Sequence, residues 1–376
     1  MIDLTPLDPS LLSASAQRAL GPGAGRLMAA RGMLPLAPND LVAVLYQLSL
    51  DNDQAIAQSA RGTASGLPEN LLVGTLGGGA LDPRIFHFFG TTCADTPAVF
   101  DAIVLNPAVA DATLAVLAAR GDSRGVDQIA QNEQRLLAHP EIIAAMYMNR
   151  RARMSTIDRV VELAVRNHVR VPGLACWDEV ARALAGGHAT TATDDALFSH
   201  ATAVLADDDS HLTTGDAETA HEEKEEIVVK REAQIKEKSE MARIMEMSVP
   251  AKIRLATVGN GFARSILIRD PLKMVAQAAI KSPGVTDIEA ARYASNQALP
   301  EEVIRYISTK REWTKMYGVK VALCKNPKTP VAEASKLLTF LREKDLNNVA
   351  KSKGVSSALV AQAKKIMAQR KGGTAK

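Results

Sequence analysis

Apolar residues along this chain fall in short runs with helical spacing, and each run is closed by turn-forming residues. Leu41, Val44, Leu45 and Leu48 recur at intervals of three and four, which lines one face of a helix. Comparable runs cover Glu69–Leu76, Pro83–Phe89, Pro97–Leu105, Asp111–Ala119, Gly125–Leu137, Glu141–Met148 and Thr156–Val165. Between the runs stand Asn106-Pro107, His139-Pro140, Ser282-Pro283 and Asn326-Pro327. Pro cannot continue a helix, and Asn tolerates the left-handed conformation that closes one. The pattern predicts helix, tight turn, helix, many times over. Short loops between short helices force antiparallel neighbours. The expected fold class is all-α: an α-solenoid of short antiparallel helix pairs in two modules joined by an acidic flexible linker.

The pattern also sets expected boundaries. Residues 1–36, rich in Pro, Gly, Ser and Ala, read as a loosely structured lead-in. Residues 37–185 form an N-terminal helical-repeat module. Residues 186–222 open on Gly186-Gly187 and carry Asp194-Asp195 and Asp207-Asp208-Asp209 with little periodicity, which predicts an acidic disordered linker. Residues 223–247 read as a charged helix, with Glu226/Lys230 and Glu232/Lys236 at stabilising spacing. Residues 248–376 resume the helical grammar as a basic C-terminal module. There Thr286 and Glu289 match a capping box, and Pro300-Glu301-Glu302 starts another helix.

Composition narrows this picture. Aromatics are only 4% of the 376 residues, so the core must be built from small aliphatic side chains that allow close helix packing. No run of about 18 apolar residues occurs, which argues against a membrane span. Met1-Ile2-Asp3-Leu4 lacks the basic and apolar regions of a signal peptide. Cys93, Cys176 and Cys324 are well separated, which predicts buried, inert thiols in a reducing, cytoplasmic compartment. The net charge of +3 conceals an asymmetry. From Ala251 onward there are 24 Lys and Arg against 9 Asp and Glu, leaving 21 against 33 before it. That imbalance suggests an acidic partner for the C-terminal part; the alternatives are attraction between the two halves and plain solvated helix faces.

The phrases Ile268-Arg269-Asp270-Pro271, Glu312-Trp313-Thr314-Lys315, Asn326-Pro327-Lys328-Thr329-Pro330 and Lys344-Asp345-Leu346 carry a resemblance. Over residues 268–367 the chain resembles a group of uncharacterised bacterial proteins, related to HEAT-like and leucine-rich-variant helical repeats. The resemblance implies an α-solenoid and brings no assigned activity. Leucine-rich-variant proteins can carry a cysteine-ligated iron–sulfur cluster at the N-terminus. This chain has no cysteine cluster there, so no cofactor is expected.

Motifs for chemistry are weak. Gly74-Thr75-Leu76-Gly77-Gly78-Gly79 lacks the Lys-Ser/Thr ending and the preceding strand of a phosphate-binding loop, and reads as an inter-helix turn. Gly259-Asn260-Gly261 reads the same way. His200, His211 and His221 lie near acidic residues, but their spacings of 11 and 10 are too wide for a structural metal site. His87 reads as a partly buried helix residue; His139 and His168 lie at helix ends, where they can satisfy free carbonyls. No nucleophile elbow accompanies any Ser, His and Asp set. Neither a catalytic nor a metal site is expected.

Above this background stands the basic C-terminal module. Lys310, Arg311, Trp313 and Lys315 combine cations with an aromatic, and Lys320, Lys325 and Lys328 follow at near-helical intervals. Lys351, Lys353, Lys364, Lys365 and Arg370 form a second cluster. Trp313 is either a stacking platform for a base or a core residue between repeats. The function expected is a non-enzymatic scaffold or adaptor for a protein partner. The alternative is a nucleic-acid binder acting through these cations.

Overall fold

The structure, a computed structural model, describes residues 4–23, 25–79, 81–188, 190–204 and 238–373. Every regular element among the described residues is a helix. No helix among them is long and apolar enough to cross a membrane. The chain forms two compact units, Met1–Gly173 and Leu174–Lys376.

In the N-terminal unit the helices are α1 (Ala14–Ala19), α2 (Gly25–Ala30), α3 (Pro38–Ser49), α4 (Gln54–Ser65), α5 (Glu69–Gly78) and α6 (Pro83–Thr92). They continue as α7 (Pro97–Leu105), α8 (Asp111–Arg120), α9 (Ser123–Ile129), α10 (Glu133–Ala138), α11 (Pro140–Met148) and α12 (Met154–Arg166). Helices α4, α6, α8 and α11 pack in succession, while α5 packs along α7 and α7 along α9. Much of the packing thus links helices that are not sequence neighbours, as in α5 with α7 and α8 with α11. Small residues permit the close approach: a Cβ placed on Gly77 would sit 3.6 Å from the Ala102 methyl. Gly74, Gly77 and Gly78 therefore belong to α5 itself, and the expected glycine turn is a helix packed closely on α7.

In the C-terminal unit the helices begin with α13 (Trp177–Ala185), α14 (Ala192–Val204) and α15 (residues 238–246). There follow α16 (Val249–Val258), α17 (Gly261–Leu267), α18 (Lys273–Lys281), α19 (Asp287–Ser295), α20 (Glu301–Thr309) and α21 (Arg311–Thr314). The last are α22 (Tyr317–Lys325), α23 (Val331–Leu338), α24 (Glu343–Lys351) and α25 (Ser357–Gly373). The same order recurs: α16, α18, α20, α23 and α25 pack in succession, and so do α19, α22 and α24.

One kind of joint recurs within each unit. The Asn106 amide after α7 donates to the carbonyls of Leu76 (2.8 Å) and Gly79 (3.1 Å) at the end of α5. Asn149 after α11 donates to Ala118 and Gly121 at the end of α8, at 2.8 Å each. Asn326 after α22 donates to Ala294 (2.9 Å) and Asn296 (3.3 Å) at the end of α19. Ser282 after α18 donates to the Thr257 carbonyl in α16 at 2.8 Å. All four side chains are buried. Each asparagine oxygen also accepts from the backbone N–H two residues on, in Ala108, Arg151 and Lys328, which turns the chain into the next helix. The carbonyls left free at a helix end are thus satisfied by a side chain from a helix end about thirty residues later.

This corrects the expected role of the Asn-Pro steps. Asn106 and Asn326 are extended, with φ of −77° and −88°, because a left-handed residue would aim the amide away from the preceding helix. Left-handed closure does occur after α12, at His168 with φ 56°.

Three expected boundaries also change. Residues 1–36 include α1 and α2, whose Ala16, Ala19, Ala29 and Ala30 are buried; small side chains seat them against α3 and α4. The disordered linker expected over 186–222 does not hold for Ala192–Val204. There Asp194 accepts from the Thr191 N–H and from the Ser248 N–H, pinning the start of α14 to that of α16, and Phe198 is buried. The acidic residues that suggested a solvated linker include a helix cap. Helix α13, expected in the N-terminal module, packs on α16 and α18. Of the charged helix expected over 223–247, residues 238–246 are helical, with Ile244 buried. Residues 205–237, with His211, His221 and the Glu226/Lys230 and Glu232/Lys236 pairs, lie outside the described residues.

Candidate binding surface

Lys310 follows α20 as its cap, and the chain turns at once into α21. Trp313 falls on the inner side of that turn, 3% exposed, with its ring edge-on to Tyr306 at 6.0 Å. The Lys310 ammonium sits 4.4 Å above the Trp313 ring. Of the two readings of Trp313, core residue and stacking platform, the buried position selects the first. Arg311 and Lys315 flank it on the exposed side.

Helix α22 buries Val319, Leu323 and Cys324, which leaves Lys320 and Lys325 half-buried at its margin. Lys328, in the following turn, donates to the Leu299 carbonyl at 2.6 Å and so clamps the turn before α20. Lys351 and Lys353 are exposed at the end of α24, and Lys364 and Lys365 on α25. Arg311, Lys315, Lys325, Lys351, Lys353, Lys364 and Lys365 form no ion pair among the described residues. Over residues 310–371 there are 15 Lys and Arg against 4 Asp and Glu.

The 339–342 loop between α23 and α24 gathers what the sequence did not point to. Arg370, from α25, donates to the carbonyls of Thr339 (2.6 Å) and Leu341 (2.7 Å), one on each side of Phe340. The Phe340 N–H donates to Leu337. Held this way, Phe340 is 63% exposed. Lys320 approaches its ring to 4.9 Å. Arg342 lies 4.8 Å over the Tyr317 ring, its N–H donates to the Tyr317 hydroxyl, and that hydroxyl donates to Asp345 at 2.5 Å. Two of the expected binding residues, Lys320 and Arg370, therefore meet here. No hydrogen bond or ring contact among the described residues links Lys351, Lys353, Lys364 or Lys365 to this loop.

Buried polar groups elsewhere hold helices together. Glu289 completes the capping box with Thr286 and accepts both Arg264 Nη2 (3.1 Å) and the Thr286 N–H (2.9 Å). Burial alone would raise its pKa, but these donors outweigh it and hold the carboxyl below its usual value. Cys93, Cys176 and Cys324 are buried free thiols. Burial pushes the Cys93 thiol up and the Cys324 thiol to about 12, so neither supplies thiolate near neutrality. His87 faces the Thr113 hydroxyl at 3.1 Å, and burial lowers its pKa. His200 pairs with Glu240 at 3.1 Å. No cluster of three metal-ligating side chains occurs among the described residues.

The N-terminal unit has an open cleft of about 860 Å³ beside α8, α10 and α11. In it His139 Nε2 lies 3.1 Å from Asp111, which also accepts Arg135 Nε at 2.5 Å. The residues lining the cleft include no hydroxyl or thiol for a His–carboxylate pair to activate. The cleft offers apolar walls, side-chain amides and an ion pair. No protein-family model matches this chain, and no curated protein or solved structure matches it.

Proposed function

We propose that this chain is a non-enzymatic scaffold or adaptor, an α-solenoid of the HEAT-like and leucine-rich-variant kind, that binds a protein partner through its helical-repeat surfaces. Its stacking order and recurring joint support the solenoid reading, because buried side chains tie α7 to α5, α11 to α8, α18 to α16 and α22 to α19. The observation that carries the binding reading is the set of C-terminal cations left without carboxylates. Charges that serve the fold are paired, as in Arg264–Glu289, whereas these are held outward and unneutralised. They suit a partner with an acidic segment.

Affinity purification of the full chain from native lysate tests this reading. The expected result is a stoichiometric protein that is lost when Arg311 and Lys315 are both changed to Glu. Absence of a partner, or one indifferent to that charge reversal, overturns it. A second reading, nucleic-acid binding through the same module, is favoured by one feature: an exposed aromatic stands among the cations.

A further inference from the structure

Phe340 is the only aromatic among the large hydrophobic side chains exposed in the described residues. Its place is unexpected, because Leu337-Leu338-Thr339-Phe340-Leu341 is an apolar run broken only by Thr339, and Leu338 and Leu341 are buried. A ring left in water without a role would normally fold back onto the protein. Here the loop backbone is anchored, since the Arg370 guanidinium donates to the carbonyls before and after Phe340. The loop is preorganised to present a ring, so little conformational freedom is lost when something covers it.

The surroundings specify what covers it. Lys320 occupies one side of the ring, 4.9 Å from its centroid, and the residue keeps most of its surface in solvent. Arg342 is fixed two residues away over Tyr317. Lys344, on the first turn of α24, is exposed and unpaired among the described residues. A flat hydrophobic face next to two or three cations matches a polymer that alternates planar rings with anionic groups. An acidic peptide would use the cations and leave the ring unsatisfied. A duplex would use the cations too, but its bases are stacked on each other and unavailable. A single strand uses both.

We propose that Phe340 is a base-stacking platform for single-stranded nucleic acid, with Lys320, Arg342 and Lys344 holding the adjoining phosphates. The proposal rests on the nucleic-acid reading above and gives it a site and a strand preference. Stacking accepts any base, so recognition here is of single-strandedness, with little sequence preference.

The test uses the full chain and fluorescence anisotropy with a labelled oligothymidylate of about 12 nucleotides, alongside a duplex of equal length and polyglutamate. At about 50 mM salt the single strand is bound more tightly than the duplex, and affinity falls at least tenfold by about 200 mM salt. Phe340→Ala weakens single-strand binding by about tenfold, Phe340→Leu does the same while keeping apolar bulk, and Phe340→Trp retains it. Because the ring is outside the core, circular dichroism of all three variants matches the parent. Wild-type affinity in both Phe340→Ala and Phe340→Leu overturns the platform while leaving the nucleic-acid reading intact. No binding of any oligonucleotide at low salt overturns both. Polyglutamate binding that shows the same loss on Phe340→Ala assigns the site to an acidic peptide, and the proposal fails.

Discussion

In the N-terminal unit, arginines reach neighbouring turns to meet carboxylates: Arg26 meets Asp51, Arg84 meets Asp82, Arg124 meets Asp101 and Arg153 meets Asp127. Between Lys310 and Lys365 of the C-terminal unit, Lys310 and Lys336 face Glu312 and Glu333. Arg311, Lys315, Lys325, Lys344, Lys351, Lys353, Lys364 and Lys365 have no such partner among the described residues. Both units nevertheless use the same asparagine joint and the same order of helix packing. The difference teaches that what holds the helices together and what they display are separable. Buried joints set the stacking, and exposed charge varies over it freely.

Breaking a buried charge pair should give the largest effect. Arg264→Met leaves Glu289 buried without its cation, and about 3–5 kcal/mol of stability is lost from the C-terminal unit. The matching change in the N-terminal unit, Arg124→Met, removes an arginine whose side chain is 59% exposed, against 7% for Arg264. It costs no more than about 1 kcal/mol. Urea unfolding followed by tryptophan fluorescence and circular dichroism measures both. Both tryptophans, Trp177 and Trp313, lie in the C-terminal unit, so fluorescence reports that unit alone. Equal losses would erase the distinction between buried and displayed charge.

Removing a joint comes next. Asn149→Ala frees two buried carbonyls and Asn326→Ala one buried and one part-buried carbonyl, for a loss of about 2–4 kcal/mol apiece. Because the joint is the same in both units, the two losses agree to within about 1 kcal/mol. A joint that costs nothing in one unit would show that the resemblance between the units is superficial. The midpoint and slope of each denaturation curve settle it.

The smallest effect is a difference in acid response. The His87 pKa is lowered in the folded N-terminal unit, mainly by burial, so protons bind the unfolded chain more readily. Its contribution is complete above the ordinary value of 6.5 and is lost progressively as pH falls below it. Glu289, held below its ordinary 4.5, contributes fully above that value and is lost only as pH falls further. Thermal unfolding by circular dichroism should therefore weaken from pH 6.5 downward while the tryptophan transition holds to about pH 4.5. His87→Gln removes the first window. An unchanged profile in that variant would place the sensitivity elsewhere.

The helices were legible where local chemistry decides them. Residues Pro97–Leu105 were expected and found, with Pro opening the helix, and Thr286 and Glu289 form the capping box their spacing implied. The expected helix Gly125–Leu137 is instead split into α9 and α10, because the Asn132 side chain caps a new start by accepting the Arg135 N–H. That competition turns on one side chain within a periodic run. The binding surface was legible only in part. Charge density can be counted along a sequence, but the partners that occupy Lys328 and Arg370 are backbone carbonyls about thirty residues away. Phe340 and Trp313 differ in exposure for a reason their neighbours do not encode: Trp313 packs on Tyr306, whereas the loop carrying Phe340 is anchored by Arg370, about thirty residues along the chain.

The joint has a consequence for how such a chain can change over generations. Its acceptors are main-chain carbonyls, which every residue possesses. Almost any helix can receive the asparagine, provided its last turn stands at the right distance. Selection can preserve a few buried asparagines while the surrounding residues drift, and one stretch can turn acidic as another turns basic. Kinship between repeats would then survive as geometry long after it had faded as spelling.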